Sequence, residues 1–157
     1  MALNGTITHF FSSPVTQDDL DIFQIERGSC NGQQTLEGLA ILVALRAWTG
    51  KDSSKKFRLQ VRGDNVGALS LVLKMRPSSP QQAIIAREIA LEVVHFAFPP
   101  TVLHTPGIAH VIADGLSRLD DPNHDKHDVL QHPALAKAVR TVIPARPRSW
   151  YKAIAEH

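Results

Sequence analysis

Between Thr35 and Trp48 the apolar residues Leu36, Leu39, Ala40, Val43, Ala44 and Ala47 return every three or four positions, and Gly50 follows as a terminator. That spacing lines one side of a helix, so a helix with one buried face is predicted there. Phe57, Leu59 and Val61 then alternate with Arg58, Gln60 and Arg62. A period of two belongs to a strand, and this one runs into Gly63-Asp64. Asp64 therefore falls at the C-terminal end of a strand, where open sheets place their ligands. Helical spacing resumes at Val66, Leu69 and Leu73, and again at Ile85, Ile89, Val93 and Phe96. The Pro77-Ser78-Ser79-Pro80 break separates them into two helices, since proline lacks the amide donor and clashes with the preceding turn. Thr101 to His104 reads as a short strand, Pro106-Gly107 as a turn, and Val111 to Leu119 as a further helix.

The two ends of the chain are less regular. Asn4-Gly5 is a two-residue hairpin signal, because both positions tolerate positive φ; Met1 to Leu3 would be one arm, and Ile7, Phe10 and Phe11 mark the next strand. Pro14 and Gln17-Asp18-Asp19 predict a loop, and Ile22 to Ile25 a third strand. After Pro122 comes a polar stretch, then Leu135 to Val142 as a short helix, then the proline- and arginine-rich Pro144 to Arg148. The expected organisation is one α/β domain over residues 1–121, a mixed sheet with flanking helices, and a partly disordered extension over 122–157.

Composition narrows the functional classes only slightly. A hydrophobic content of 43% in 157 residues suffices for a packed core. A formal charge of +2 means that any nucleic-acid contact must come from local clusters. Cys30 is the single cysteine and can form no intrachain disulfide, so a reducing intracellular setting, cytoplasmic or nuclear, is expected. No apolar run approaches the roughly 18 residues needed to span a bilayer, and no membrane partner is expected.

Three carboxylates stand out by context. Glu37 lies in Gln33-Gln34-Thr35-Leu36-Glu37-Gly38-Leu39-Ala40, and Asp64 in Gly63-Asp64-Asn65-Val66-Gly67-Ala68-Leu69. Asp114 lies in Val111-Ile112-Ala113-Asp114-Gly115-Leu116-Ser117-Arg118, preceded by His104-Thr105-Pro106-Gly107. Singly, each acid could oppose a helix dipole or cap a helix. Jointly, the segment from about Gly32 to Leu119 resembles most of a ribonuclease H domain of retroelement polyproteins. The closing motif, a histidine-x-proline-glycine loop before alanine-aspartate-small-leucine-serine-arginine, is the most specific part of the resemblance.

The resemblance implies an α/β ribonuclease H-like mixed sheet with flanking helices, N-terminally truncated, and hydrolysis of RNA in RNA–DNA hybrids. That chemistry uses magnesium ions roughly 3.5–4 Å apart, one helping to generate the attacking hydroxide and the other steadying the leaving 3′ oxygen. Of the family's four carboxylates, Glu37, Asp64 and Asp114 match the second, third and fourth. The first belongs on an opening strand that should lie upstream of Met1; Asp18, Asp19 and Asp21 are the early aspartates that would have to replace it. Without that central strand two sheet edges would be unpaired. His104 matches a mobile histidine that aids product release, or is a partly buried strand residue. Where the family commonly has asparagine, this chain has His110.

Gln33 and Gln34 match amide positions that reach the hybrid's minor groove, where 2′-hydroxyls distinguish RNA from DNA, or are polar helix-start residues. Asn65, Lys74 and Arg76 are further candidate nucleic-acid contacts, with Arg62, Lys55 and Lys56, although surface cations are commonly just solvated. Arg146, Arg148, Trp150 and Lys152 combine charge with an aromatic that could stack on a base, or belong to a disordered tail. His124, His127 and His132 lack the cysteine companions of a closed zinc shell, and Cys30 lacks an evident base. A magnesium-dependent hybrid nuclease, normally joined to a reverse transcriptase, is thus weighed against two alternatives: a catalytically dead remnant that binds nucleic acid, and a protein-interaction module built on an open sheet edge.

Overall fold

A computed structural model describes residues 1–3, 5–29, 32–49, 58–94, 96, 99–106, 110–119, 121, 123 and 129–154. The protein is a mixed α/β chain. Its strands are β1 (Ala2–Leu3), β2 (Thr6–Ile7), β3 (His9–Phe10), β4 (Gln60–Gly63), β5 (Thr101–His104) and β6 (Val139–Arg140). Its helices are α1 (Gln17–Phe23), α2 (Gln33–Trp48), α3 (Val66–Lys74), α4 (Pro80–Val93) and α5 (Val111–Ser117). Among the described residues the strands form three separate two-stranded pairs, β1–β2, β3–β6 and β4–β5, where the sequence led us to expect one mixed sheet. The chain divides into two compact units, Met1–Pro14 with Pro106–Pro144, and Val15–Thr105 with Ala145–His157. Asn4 of the hairpin turn, the terminator Gly50 and Gly107 of the turn after β5 lie outside the described residues.

In the first unit, Ala2 faces Ile7 and Leu3 faces Thr6 across an antiparallel hairpin. Gly5 takes φ +81°, as the turn requires. β3 runs parallel to β6, with His9 opposite Val139 and Phe10 opposite Arg140. Leu119, Val129 and Leu135 are buried together, and Ile7, Phe10, Ile112, Leu116 and Ala138 pack on them. Gly115 on α5 sits so close to this core that an added Cβ would lie 2.8 Å from the Val129 Cβ. The helix expected at Leu135 to Val142 is instead a 3₁₀ turn (Pro133–Leu135) followed by β6. Pairing of Val139 and Thr141 amides with the Thr8 and Phe10 carbonyls, at 2.9 and 2.7 Å, draws this segment into extended backbone.

In the second unit, α2 packs on α3 and α4. Leu39, Leu42, Val43 and Leu45 of α2, Leu69, Leu71 and Val72 of α3, and Ile85 and Ile89 of α4 are all buried. Gly38 permits the close α2–α4 approach, since a Cβ there would meet Ile85 Cγ2 at 3.1 Å. The strand expected at Ile22 to Ile25 is absent, and Ile22 and Phe23 belong to α1. Thr16 and Asp19 form a reciprocal capping box, and Gln24 ends the helix at φ 52°.

α1 also anchors the C-terminal segment. Asp19 accepts hydrogen bonds from Arg146, with Nη2 at 2.7 Å, and from the Tyr151 hydroxyl. Asp19, Arg146 and Tyr151 are buried, and the Tyr151 ring meets Phe23 edge-on at 5.5 Å. Arg46 of α2 reaches Glu88 at 2.5 Å, Glu92 at 2.8 Å and the Trp150 carbonyl at 2.8 Å, with its guanidinium 4.0 Å from the Trp150 ring centroid. Arg146 and Tyr151, expected in a disordered extension, are therefore core residues of this unit. Among the described residues no helix is long and apolar enough to cross a membrane.

Candidate active site at the ends of the parallel strands

β4 and β5 lie in parallel register from Gln60 opposite Thr101 to Gly63 opposite His104. Thr105 N–H donates to the Gly63 carbonyl at 2.8 Å, so the two strands end level. Immediately past that end the chain turns through Asp64 and Asn65 into α3. Asn65 takes extended backbone and caps the helix, its Oδ1 accepting the Ala68 N–H at 3.1 Å. Asp64 and His104 are exposed there.

Glu37 approaches from α2 and is half-buried. Gln33, one turn earlier, donates its Nε2 to Glu37 Oε1 at 3.3 Å. Asn65 also hydrogen-bonds to the Glu37 carboxylate. Because Asn65 Oδ1 already serves Ala68, its amide nitrogen is the donor. Burial pushes the Glu37 carboxyl above its ordinary value; hydrogen bonds from Asn65 and Gln33 oppose this, and the nearby negative charge of Asp64 adds to it. Two carboxylates expected to act together, Glu37 and Asp64, thus feel one another at the end of a parallel strand pair.

Gln34 is exposed and its amide lies across Gly67, where a Cβ would sit 2.6 Å from Cδ. Its Oε1 accepts a hydrogen bond from Gln82 of α4 at 2.9 Å. Gln82 does not stand out in the sequence. Its one signal is a polar residue on the side of α4 that also carries Ile85 and Ile89, at spacings of three and seven. Lys74 and Arg76 are exposed at the C-terminal end of α3, and Arg62 is exposed with its Nε donating to Gln60 at 2.9 Å.

Asp114 belongs to the first unit. It is exposed on α5 and pairs with Arg118 at 3.1 Å. His110 occupies the cap position of α5 without a capping hydrogen bond. His132 accepts the Ala134 N–H at its Nδ1, at 3.1 Å, and starts the 3₁₀ turn. Asp19, one of the early aspartates weighed for a catalytic role, is committed to Arg146 and Tyr151. Arg146 and Trp150 face protein rather than a base, and Lys152 pairs with Glu92 at 3.0 Å. Cys30, Lys55, Lys56, His124 and His127 lie outside the described residues.

Among the described residues no three His, Cys, Asp or Glu side chains group to hold a metal ion. Among the described residues of the second unit, Glu37 and Asp64 are a pair that could hold one. Hard carboxylate oxygens suit magnesium, and a cation between the two would relieve the like-charge repulsion that helps to raise Glu37. The chain is thus a mixed α/β protein with two neighbouring carboxylates at the end of a parallel strand pair. No family model, no curated protein and no solved structure matches it.

Proposed function

We propose that the chain is a ribonuclease H-type domain of a retroelement, acting on the RNA strand of RNA–DNA hybrids with magnesium and working beside a reverse transcriptase. The observation that carries this reading is geometric: β4 and β5 end level at Gly63 and His104, Asp64 follows directly, and half-buried Glu37, held by Gln33, faces the same strand end beside Asn65. An acid whose proton affinity is raised by burial and by a second acid is a mark of functional sites. Glu37 and Asp64 would hold the magnesium, and the bound ion would neutralise the phosphodiester charge. Asn65 and Gln33 fix the Glu37 carboxylate through donated hydrogen bonds. His104, exposed at the end of β5, is the residue to move against a product.

The test is cleavage of a hybrid carrying an end-labelled RNA strand. Magnesium-dependent cutting of the hybrid, but not of the matching DNA duplex, is expected. Asp64→Asn and Glu37→Gln should each lower the rate by about 100-fold or more, and EDTA should abolish it. Cutting that persists in Asp64→Asn would reject the assignment. A second reading, a nucleic-acid-binding remnant without catalysis, draws on the finding that among the described residues this site joins two carboxylates and no third. Hybrid binding with no magnesium-dependent cutting would select it.

A further inference from the structure

Gln82 is buried, with 5% of its surface exposed, on the side of α4 that faces α2. Three hydrogen bonds determine which way its amide points. The Ser78 backbone N–H donates to Gln82 Oε1 at 2.9 Å, and the Ser78 hydroxyl donates to the same oxygen at 2.8 Å. A backbone N–H can only donate, so the oxygen of Gln82 must face Ser78. Its nitrogen then faces Gln34, at 2.9 Å from Oε1. Gln34 must therefore turn its own oxygen toward Gln82, which leaves its NH2 as the uncommitted end of the amide. Among the described residues that NH2 has no acceptor, although Gln34 is exposed. Gly67 provides the space for this pose, since a Cβ there would lie 2.6 Å from Gln34 Nε2.

We propose that Gln82 is a positioning residue that commits Gln34 to act as a hydrogen-bond donor toward nucleic acid, an inference that rests on the nucleic-acid reading of the site. A glutamine at the surface ordinarily offers either end of its amide. Relayed from the Ser78 backbone through Gln82, this one offers only N–H. The minor groove presents chiefly acceptors, N3 of purines and O2 of pyrimidines, and an RNA strand adds 2′-hydroxyl oxygens. A fixed donor suits those partners, and a carbonyl in its place would not.

Gln82→Glu is the discriminating variant. Its carboxylate still accepts from Ser78 but can accept only from Gln34, which forces the Gln34 amide to reverse and present oxygen outward. Affinity of the full chain for a short RNA–DNA hybrid should fall about tenfold, the scale of one lost hydrogen bond. In the Gln34→Ala background the same change should have no further effect, because the group being oriented is gone. Gln82→Met, which removes the relay without adding charge, should weaken binding in the Gln34 protein and likewise be silent with Gln34→Ala. Where cleavage is measurable, KM should rise while kcat stays within about twofold. A 15N spectrum should show the Gln34 side-chain amide shifted in Gln82→Glu before any hybrid is added.

Hybrid affinity unchanged in Gln82→Glu and Gln82→Met, or weakened equally with and without Gln34, would overturn the inference while leaving the functional reading intact. A wild-type chain that binds no hybrid would overturn both. In that case the amide shift would still report the relay as a purely structural contact.

Discussion

Glu37 keeps a carboxylate half-buried beside a second negative charge, and this has a sign in pH. Its folded proton affinity is raised above the ordinary value of 4.5, so the folded state binds the proton more tightly than the unfolded chain. The stability it contributes is full below 4.5 and is lost as pH rises through its folded value. Glu37→Gln should therefore stabilise the protein at pH 7 more than at pH 4, checked by urea midpoints at both. Magnesium should raise the melting temperature of the wild type and do so less for the variant. Asp19 behaves oppositely. Burial alone would raise it, but hydrogen bonds from Arg146, Tyr151 and Thr16 lower it overall, so its contribution is present above 3.8 and is lost as pH falls through its folded value. Asp19→Asn breaks the buried Asp19–Arg146 ion pair and should cost about 3–5 kcal/mol, read from denaturant unfolding at neutral pH. Tyr151 is held protonated by burial and by Asp19, so no phenolate titration should appear below the unfolding transition at alkaline pH.

Elements marked by strong periodicity or by explicit breaks are legible in the residues themselves. The spacing from Val66 to Leu73 predicts α3 to within one residue, Thr101 to His104 coincide with β5, and the Pro77–Pro80 break does separate two helices. α1 is harder to see because Ile22, Phe23 and Ile25 look like a strand in isolation, although Thr16 and Asp19 already spell a capping box. Thr16→Ala should cost about 1 kcal/mol and reduce hydrogen-exchange protection across α1. On α5, Gly115 has the look of an ordinary small residue in a motif. Its position 2.8 Å from Val129, measured from an added Cβ, makes it a packing requirement of the first unit. Gly115→Ala should cost about 1–3 kcal/mol, visible as a lowered melting temperature.

Across the molecule, the segment after residue 144 departs furthest from what its composition suggests. Proline and arginine point to a loose tail, yet Arg146 and Tyr151 fill the space against α1, and Trp150 stacks on Arg46. A chain ending at Pro144 should lose cooperative unfolding of the second unit, measurable as collapsed exchange protection in α1 and α2. The candidate site divides similarly. Glu37 and Asp64 are recognisable from their sequence contexts, and the fold brings them within each other's field. Gln82 is not, because nothing local to α4 shows which amide it will meet.

Information contained in the chain alone is local: hydrophobic spacing sets α2, α3 and α4, turn residues set the hairpin and the helix breaks, and residue types single out the acids. These depend on neighbours a few positions apart, where backbone geometry is fixed. Folding in three dimensions was needed to make Asp19 serve Arg146 across 127 positions and to turn the Gln34 oxygen toward Gln82, 48 positions away. Such pairings are chosen by which polar groups are buried together, since a buried group must find a partner wherever in the chain that partner lies.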